Sequence, residues 1–510
     1  MNKESLKKTA IKGSAWEVSA AIVQRVGGLL FTIILARFLL PEGFGLYSLA
    51  LSVSMIFFVF AQAGIDSSLI RYVSDAIKQK DATKERSTFR YLLKIKIAAL
   101  FVVSSLFVLS AYPLANYFFE KPSLFVPLLL AGAYNFVFSA ERFFTSFFYA
   151  RKKVNYRTYK EIIFQVARIG IISLLFFSAY FSPDVFATLI SLILASFITL
   201  IFVVYKTNSL SPKIFFMPEQ QLAREEKKRI NHFIVYITLN FLVILVLGQI
   251  DTITLGWLVK DSFYIGLYNS AFVLVASISG LISFSGVLLP LLMQVKKRDL
   301  ERVFNEAFRY LMILTIPMAL GLIALGNYLI VFFYGHEYLE AVAPLCILSI
   351  FAVFSVHVSL SSEMFSVKEK PQEYFKLTIF IAVLNIALNY LFIKCFLLYS
   401  PSFAMLGAAI GTTLSWVSYS LGMGFLIRKR FNIRTKVYAV FKPFISATIM
   451  LFIVLLLKAR MGDINLFNGG FLLLFGILSY FLVLFLLKGI RREDFSILEA
   501  FSSLIKRGSN

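Results

Sequence analysis

Two cysteines and three histidines are scattered over the 510 residues of this chain. Cys346 and Cys395 share no CxxC spacing, and His232, His336 and His357 share no ligand spacing, so neither a disulfide framework nor a metal centre is encoded. Both cysteines fall in apolar stretches and read as small buried residues. Charged residues are also scarce, at 15%. No GxxxxGK(S/T) phosphate loop occurs, so nucleotide hydrolysis by that route is excluded, and no cofactor is implied. No loop is long enough to house a soluble catalytic domain.

What is abundant is apolar sequence, 59% of the chain, arranged in runs separated by short polar loops. Runs of about 20 residues cross the roughly 30 Å hydrocarbon core of a bilayer as α-helices. Helix is the only reading, because each backbone amide must be paired within its own segment. Fourteen such spans are counted, the first two at 14–40 and 43–70 and the fifth at 159–181. The net charge of +23 suggests nucleic acid until the basic residues are placed. Of the 51 Lys and Arg, 42 belong to the N-terminus, the C-terminal tail and alternate loops, against five for the remaining loops. That asymmetry puts both termini in the cytoplasm of a multi-pass cell (inner) membrane protein. The excess charge meets anionic lipid headgroups, and no nucleic-acid partner is expected. The first span is too long for a signal-peptide core and is read as an uncleaved transmembrane helix.

Two anchors indicate an internal repeat. Gly45-Leu46-Tyr47 matches Gly266-Leu267-Tyr268, with Ala50 and Ala271 in step, and Pro127 and Arg151 match Pro344 and Lys368. The expected organisation is an all-α protein with two six-helix lobes in parallel pseudo-repeat. Residues 1–205 form the N-terminal lobe, 206–230 a cytoplasmic linker, 231–430 the C-terminal lobe, and 431–510 two further spans with a tail. In that tail Phe495, Leu498, Phe501 and Ile505 follow helical spacing, as in an interfacial amphipathic helix.

Ionisable groups inside spans are costly and therefore mark function. Arg25 and Arg168 fall near mid-membrane, and Arg142 lies in the inner third of span four beside Glu141. Guanidinium geometry suits an anionic group such as a diphosphate, whereas Arg142 could equally pair with a carboxylate. The acidic set is Glu17, Asp66, Asp251 and Glu363. These residues either couple or gate transport, with H⁺ or Na⁺ as the coupling ion, or hold helices together by pairing. Gln24, Asn135, Gln165, Asn240 and Asn385 could contact sugars or join helices. His357 reads as a packing residue rather than a proton relay.

Leu35-Ala36-Arg37-Phe38-Leu39-Leu40-Pro41-Glu42-Gly43-Phe44-Gly45-Leu46-Tyr47 resembles the first-loop signature of Wzx-type polysaccharide flippases. These belong to the multidrug/oligosaccharidyl-lipid/polysaccharide exporter superfamily. Ala63-Gly64-Ile65-Asp66, Gln249-Ile250-Asp251-Thr252, Asn327-Tyr328, and Asn385-Ile386-Ala387-Leu388-Asn389-Tyr390 with Leu406-Gly407-Ala408-Ala409 fit the same pattern. The resemblance implies a fourteen-helix, two-lobed fold and a cationic cavity. It also implies movement of lipid-linked oligosaccharide by alternating access for surface polysaccharide biosynthesis. Expected partners are that glycolipid, membrane lipids, and a polysaccharide polymerase or other assembly enzymes. The competing readings are a gradient-driven, multidrug-type exporter of small molecules and a membrane glycan polymerase or ligase.

Overall fold

The structure, a computed structural model, describes residues 3–177, 184–212, 214, 222–282, 299–367, 372–461 and 465–490. The described residues are helical throughout their ordered elements, without a strand. Among the described residues, twelve helices are long and apolar enough to cross a membrane. The first of these, Trp16–Ala61, carries two of the expected spans. They meet at Leu40, whose backbone leaves the helix (φ 56, ψ 173) because Pro41 follows and disfavours α geometry at the residue before it. The expected fifth span is the helix Asn155–Phe177, whose Arg157, Lys160, Glu161 and Arg168 make it more polar than its neighbours. The described parts of all fourteen expected spans thus fall on helices, with residues 178–181 of the fifth and 283–291 of the eighth outside the described residues. The amphipathic tail lies outside the described residues.

Span two is not a regular helix. After Phe58 it passes through a 3₁₀ turn, Val59–Ala61, and a short α segment, Ala63–Ser68. A π-helical turn follows at Leu69–Val73. Such wide turns often mark functional sites, and this one follows directly on the Asp66 segment. Span three, Ala82–Pro113, begins with Asp81 as its cap, accepting from the amides of Thr83 and Lys84. Phenylalanines from spans three and four then pack the end of this bundle nearest the N-terminus. Phe89 meets Phe143 and Phe147 at 5.5 and 5.3 Å, over Ile65, Leu69 and Val73.

The chain condenses into two compact units. One comprises Ala15–Ser270 and Thr378–Thr412, and so joins spans one to seven with most of span eleven and the start of span twelve. The other is built from the described parts of 271–377 and 413–510, with the first 14 residues. In this second unit span nine, Leu300–Phe333, packs against spans ten and thirteen, Val342–Val367 and Tyr438–Met461. The Tyr480 hydroxyl donates to the Ile313 carbonyl at 2.7 Å. His357 shares a 2.7 Å hydrogen bond with Ser420 and lies edge-on to Phe308, a packing environment.

In the first unit, the turn between spans three and four sends a lysine inward. Lys121 is 4% exposed, and its Nζ donates to the carbonyls of Gly256 and Val259 at 2.7 and 2.8 Å. It thereby caps the C-terminal end of span seven, Arg224–Leu258. Burial pushes its pKa down to about 8, although Asp261 and Glu120 pull it back up; Lys260 adds to the depression. From about pH 8 up to the ordinary lysine range near 10.4, the folded chain has released this proton while the unfolded chain retains it. The contribution of Lys121 to stability therefore rises with pH across that window. Lys121→Gln is expected to remove this rise, read as thermal-unfolding midpoints in detergent; an unchanged pH profile would refute the assignment.

Candidate transport site

The helices of the first unit carry more ionisable groups than a hydrocarbon slab tolerates singly, and most of them are matched. On span two, Asp66 is buried and accepts from Lys96 Nζ on span three at 3.0 Å. Arg142 Nε on span four lies 3.9 Å from the other carboxylate oxygen. Arg142 is itself about half exposed and stands over the Phe138 ring at 6.0 Å. Its neighbour Glu141 is fully buried, paired with Lys160 and accepting from Thr199 at 2.7 Å. Lys160 also approaches Glu161 at 3.4 Å, and Glu161 accepts from Gln165 Nε2 at 2.6 Å. At the start of span one, Glu17 pairs with Arg157 and accepts from the Tyr149 hydroxyl at 3.0 Å.

Against this background Arg25 and Arg168 differ. Neither forms an ion pair among the described residues. The Arg168 guanidinium lies over the rings of Phe31 and Phe164, at 4.4 and 5.1 Å, and its Nε is buried without a hydrogen-bond partner. Its Nη2 reaches to within 3.7 Å of where a side chain on Gly28 would begin. Gly28 is one helical turn from Arg25 on span one. The adjacent Gly27 has no room for a side chain because Gln165 occupies it. Tyr47, Tyr134 and the Glu161 carboxylate lie within electrostatic reach of Arg168.

A second polar cluster surrounds Asp251, which is 3% exposed. The Tyr268 hydroxyl donates to its Oδ2 at 2.7 Å and Asn389 Nδ2 to its Oδ1 at 3.0 Å. Thr412 also hydrogen-bonds the carboxylate and lies 3.3 Å from Asn389 Nδ2. Asn385, one turn before Asn389, is wholly buried with neither amide atom partnered, and Asn389 Oδ1 is likewise unpartnered. Three buried amide atoms without a hydrogen-bond partner among the described residues thus lie on the two asparagines beside Asp251.

The remaining sequence candidates fall elsewhere. Asn135 is committed to helix joining, donating to Ser54 at 2.7 Å and to the Ala131 carbonyl. Asn240 donates to the Tyr236 carbonyl of its own helix, and Gln24 is exposed on span one. Glu363 is half-buried in the second unit, apart from the Asp251 cluster in the chain's division.

The comparisons with known proteins agree with one another. A family model for a polysaccharide biosynthesis protein matches residues 34–343, more than half of the chain. The chain belongs to the polysaccharide biosynthesis protein family. An uncharacterized membrane protein of Methanocaldococcus jannaschii is 22% identical over 433 residues, covering 81% of this chain and 82% of that protein. Stage V sporulation protein B of Bacillus subtilis is 23% identical over 167 residues, 33% and 32% of the two chains. Among solved structures, the lipid II flippase MurJ in an inward closed conformation superposes with a TM-score of 0.72 at 18% identity. It covers 91% of this chain and 96% of its own. An inward-facing multidrug resistance MATE transporter of the MOP superfamily reaches 0.64 at 14% identity, covering 82% and 98%.

This polysaccharide biosynthesis family member thus shares the all-helical, multi-pass fold of the MurJ and MATE structures. The Wzx-type resemblance carried by residues 35–47 and 249–252 is in line with the family match. Sequence reasoning passed over Lys96, Lys160 and Glu161, because basic residues near a span's end count toward topology. A signal was present: Asp66 and Glu141 needed cations at their own depth. Lys96→Met should strand the Asp66 charge and destabilise the chain by about 3–5 kcal/mol. Adding Asp66→Leu should recover most of the loss. Equal melting temperatures for the wild type and Lys96→Met in detergent would contradict the pairing.

Proposed function

We propose that the protein translocates a polyprenyl-diphosphate-linked oligosaccharide across the cell (inner) membrane for surface polysaccharide biosynthesis, by alternating access of two lobes. The observation that carries this reading is the pair Arg25 and Arg168. Neither forms an ion pair among the described residues, although Glu161 lies within electrostatic reach of Arg168, whereas Arg142, Lys96, Lys160 and Arg157 are paired. Guanidiniums bind phosphate oxygens in a planar, two-pronged manner. The diphosphate then engages Arg25 and Arg168, with Gln24 and the Tyr47 and Tyr134 hydroxyls near the first sugars. A polar glycan cannot cross hydrocarbon unaided, so it needs an enclosed polar route. Both termini are placed in the cytoplasm on the strength of the basic loops, which makes the turn bearing Lys121 external. The division into two six-helix lobes followed by two further spans, and an association with a polymerase or other assembly enzymes, belong to the same proposal.

Asp251 is the proposed coupling residue. Hard monovalent cations favour oxygen ligands, and Asp251, Asn385 Oδ1, Asn389 Oδ1 and Thr412 supply them from three helices. The two open amide oxygens are what a bound Na⁺ would satisfy; a proton on Asp251 would instead neutralise the carboxylate. A multidrug-type exporter would use the same coupling residue with a different cargo, and the MATE fold match favours it as the second reading.

Leaflet accessibility of a polyprenyl-diphosphate oligosaccharide in proteoliposomes separates the two readings. Protein-dependent movement is expected, lost at least tenfold in Arg25→Ala and Arg168→Ala and partly restored by Lys at either position. Full transport by both Ala variants would end the diphosphate role. Asp251→Asn is expected to abolish any dependence on an imposed Na⁺ or H⁺ gradient while leaving substrate binding intact. A gradient response that survives this substitution would remove Asp251 from coupling.

A further inference from the structure

Span five, Asn155–Phe177, gathers polar residues on one stripe. Arg157, Glu161, Gln165 and Arg168 follow one another at spacings of four, four and three residues, which a single helix face collects. That face lies against span one, which runs alongside in the same direction. Thr158 donates to the Trp16 carbonyl at 3.0 Å, and Arg157 pairs with Glu17. Farther in, Gln165 fills the space beside Gly27, and Arg168 lies over Phe31.

The charges along this stripe and its partners balance: Arg157, Lys160 and Arg168 stand with Glu17, Glu141 and Glu161. Arg157 is joined to Glu17 and Lys160 to Glu141. Lys160 also approaches Glu161 at 3.4 Å, so one ammonium serves two carboxylates and Glu161 is the charge in excess. Arg168, about two turns farther along the same stripe, is the cation left to balance it.

Gln165 stands between the two. It is 6% exposed, and its Nε2 donates to Glu161 Oε1 at 2.6 Å. Its own Oε1, like Arg168 Nε, is buried without a hydrogen-bond partner among the described residues. Side chains on a helix lean toward its N-terminus, and Arg168 leans back over the Phe164 ring at 5.1 Å. The guanidinium is thereby brought nearer to Glu161, within reach of its field.

We infer that Glu161 is the resident counter-charge of Arg168, exchanged for the anion of the substrate, and that Gln165 is the positioning residue that keeps the two apart. In the anion-free carrier Glu161 balances Arg168 across Gln165. An anion docking on Arg168 takes over that balance, and Glu161 falls back on Lys160. When the anion departs, the field of Glu161 resumes its place. The carboxylate therefore weakens the grip on the anion and hastens its release. This exchange rests on the diphosphate reading of Arg168, whereas the stripe and its charge count stand without it.

Equilibrium binding to the full chain in lipid nanodiscs tests the inference, with farnesyl diphosphate as the anionic probe and farnesol as its uncharged counterpart. Glu161→Gln leaves Lys160 paired with Glu141 and strands no charge. It is expected to tighten farnesyl diphosphate binding about tenfold and to leave farnesol binding where it was. Glu161→Asp keeps the charge and should restore most of the wild-type affinity. Gln165→Leu keeps bulk beside Gly27 but releases Glu161 toward Arg168, so it should weaken diphosphate binding severalfold. Combined with Glu161→Gln, it should bind as Glu161→Gln alone does. In the proteoliposome assay Glu161→Gln should lower KM and kcat together. Equal diphosphate affinity in the wild type and Glu161→Gln, or a farnesol shift of the same size, overturns the counter-charge. A weakening by Gln165→Leu that persists in the double variant overturns the positioning role. Absence of glycan movement, with these binding shifts as expected, would count against the flippase reading and not against Glu161.

Discussion

Charge inside hydrocarbon must be compensated, and the arrangement of the first unit follows from that requirement. An isolated carboxylate or ammonium at mid-membrane costs several kcal/mol even after local adjustment. Asp66 with Lys96, Glu141 with Lys160, and Glu17 with Arg157 each bind one helix to another. These pairs draw spans one to five into a bundle whose near end is sealed by phenylalanine packing around Phe89. Because removing one partner leaves the other charge buried, each pair specifies its helix neighbours more stringently than apolar contact would. The cations left over after this pairing acquire their significance from it.

The spans were legible because hydropathy and length reflect the bilayer directly, and Leu40-Pro41 marked the first break. The irregular backbone of span two was not legible. Neither Gln62 nor Leu69–Val73 contains a glycine or proline that would announce a 3₁₀ or π turn. The acids and arginines of the site were visible as breaks in apolar runs, but their partners were not. A hydropathy window reports that Lys96 and Lys160 sit near a span's end, not which face they occupy. The Asp251 cluster was half readable, since Asn385 and Asn389 are one turn apart, while Tyr268 could be joined to it only through tertiary packing. The packing units also depart from the covalent linker. Spans one to six and span seven belong to one unit although the longest loop separates them, because a loop's length records chain continuity rather than which surfaces fit.

The scaffold is shared at 14–18% identity with transporters whose names specify different cargoes, lipid II in one case and drugs in the other. Helix length and apolar surface are therefore enough to hold the architecture, and the identity of what is carried depends on a handful of polar side chains inside it. In this chain those side chains are of two kinds. One set is joined in ion pairs, and the other, comprising Arg25, Arg168 and the amides of Asn385 and Asn389, is not.

The resting place of Arg168 has a consequence for turnover. Its guanidinium leans on the faces of Phe31 and Phe164 rather than on a carboxylate. A ring face attracts a cation weakly and without a formal counter-charge. In the proposed cycle an arriving anion competes only with the more distant field of Glu161, and a departing one leaves the arginine with a soft berth to return to. Grip and release are thereby kept close in energy, which is what a carrier needs if it is to let go of its cargo as readily as it takes it up.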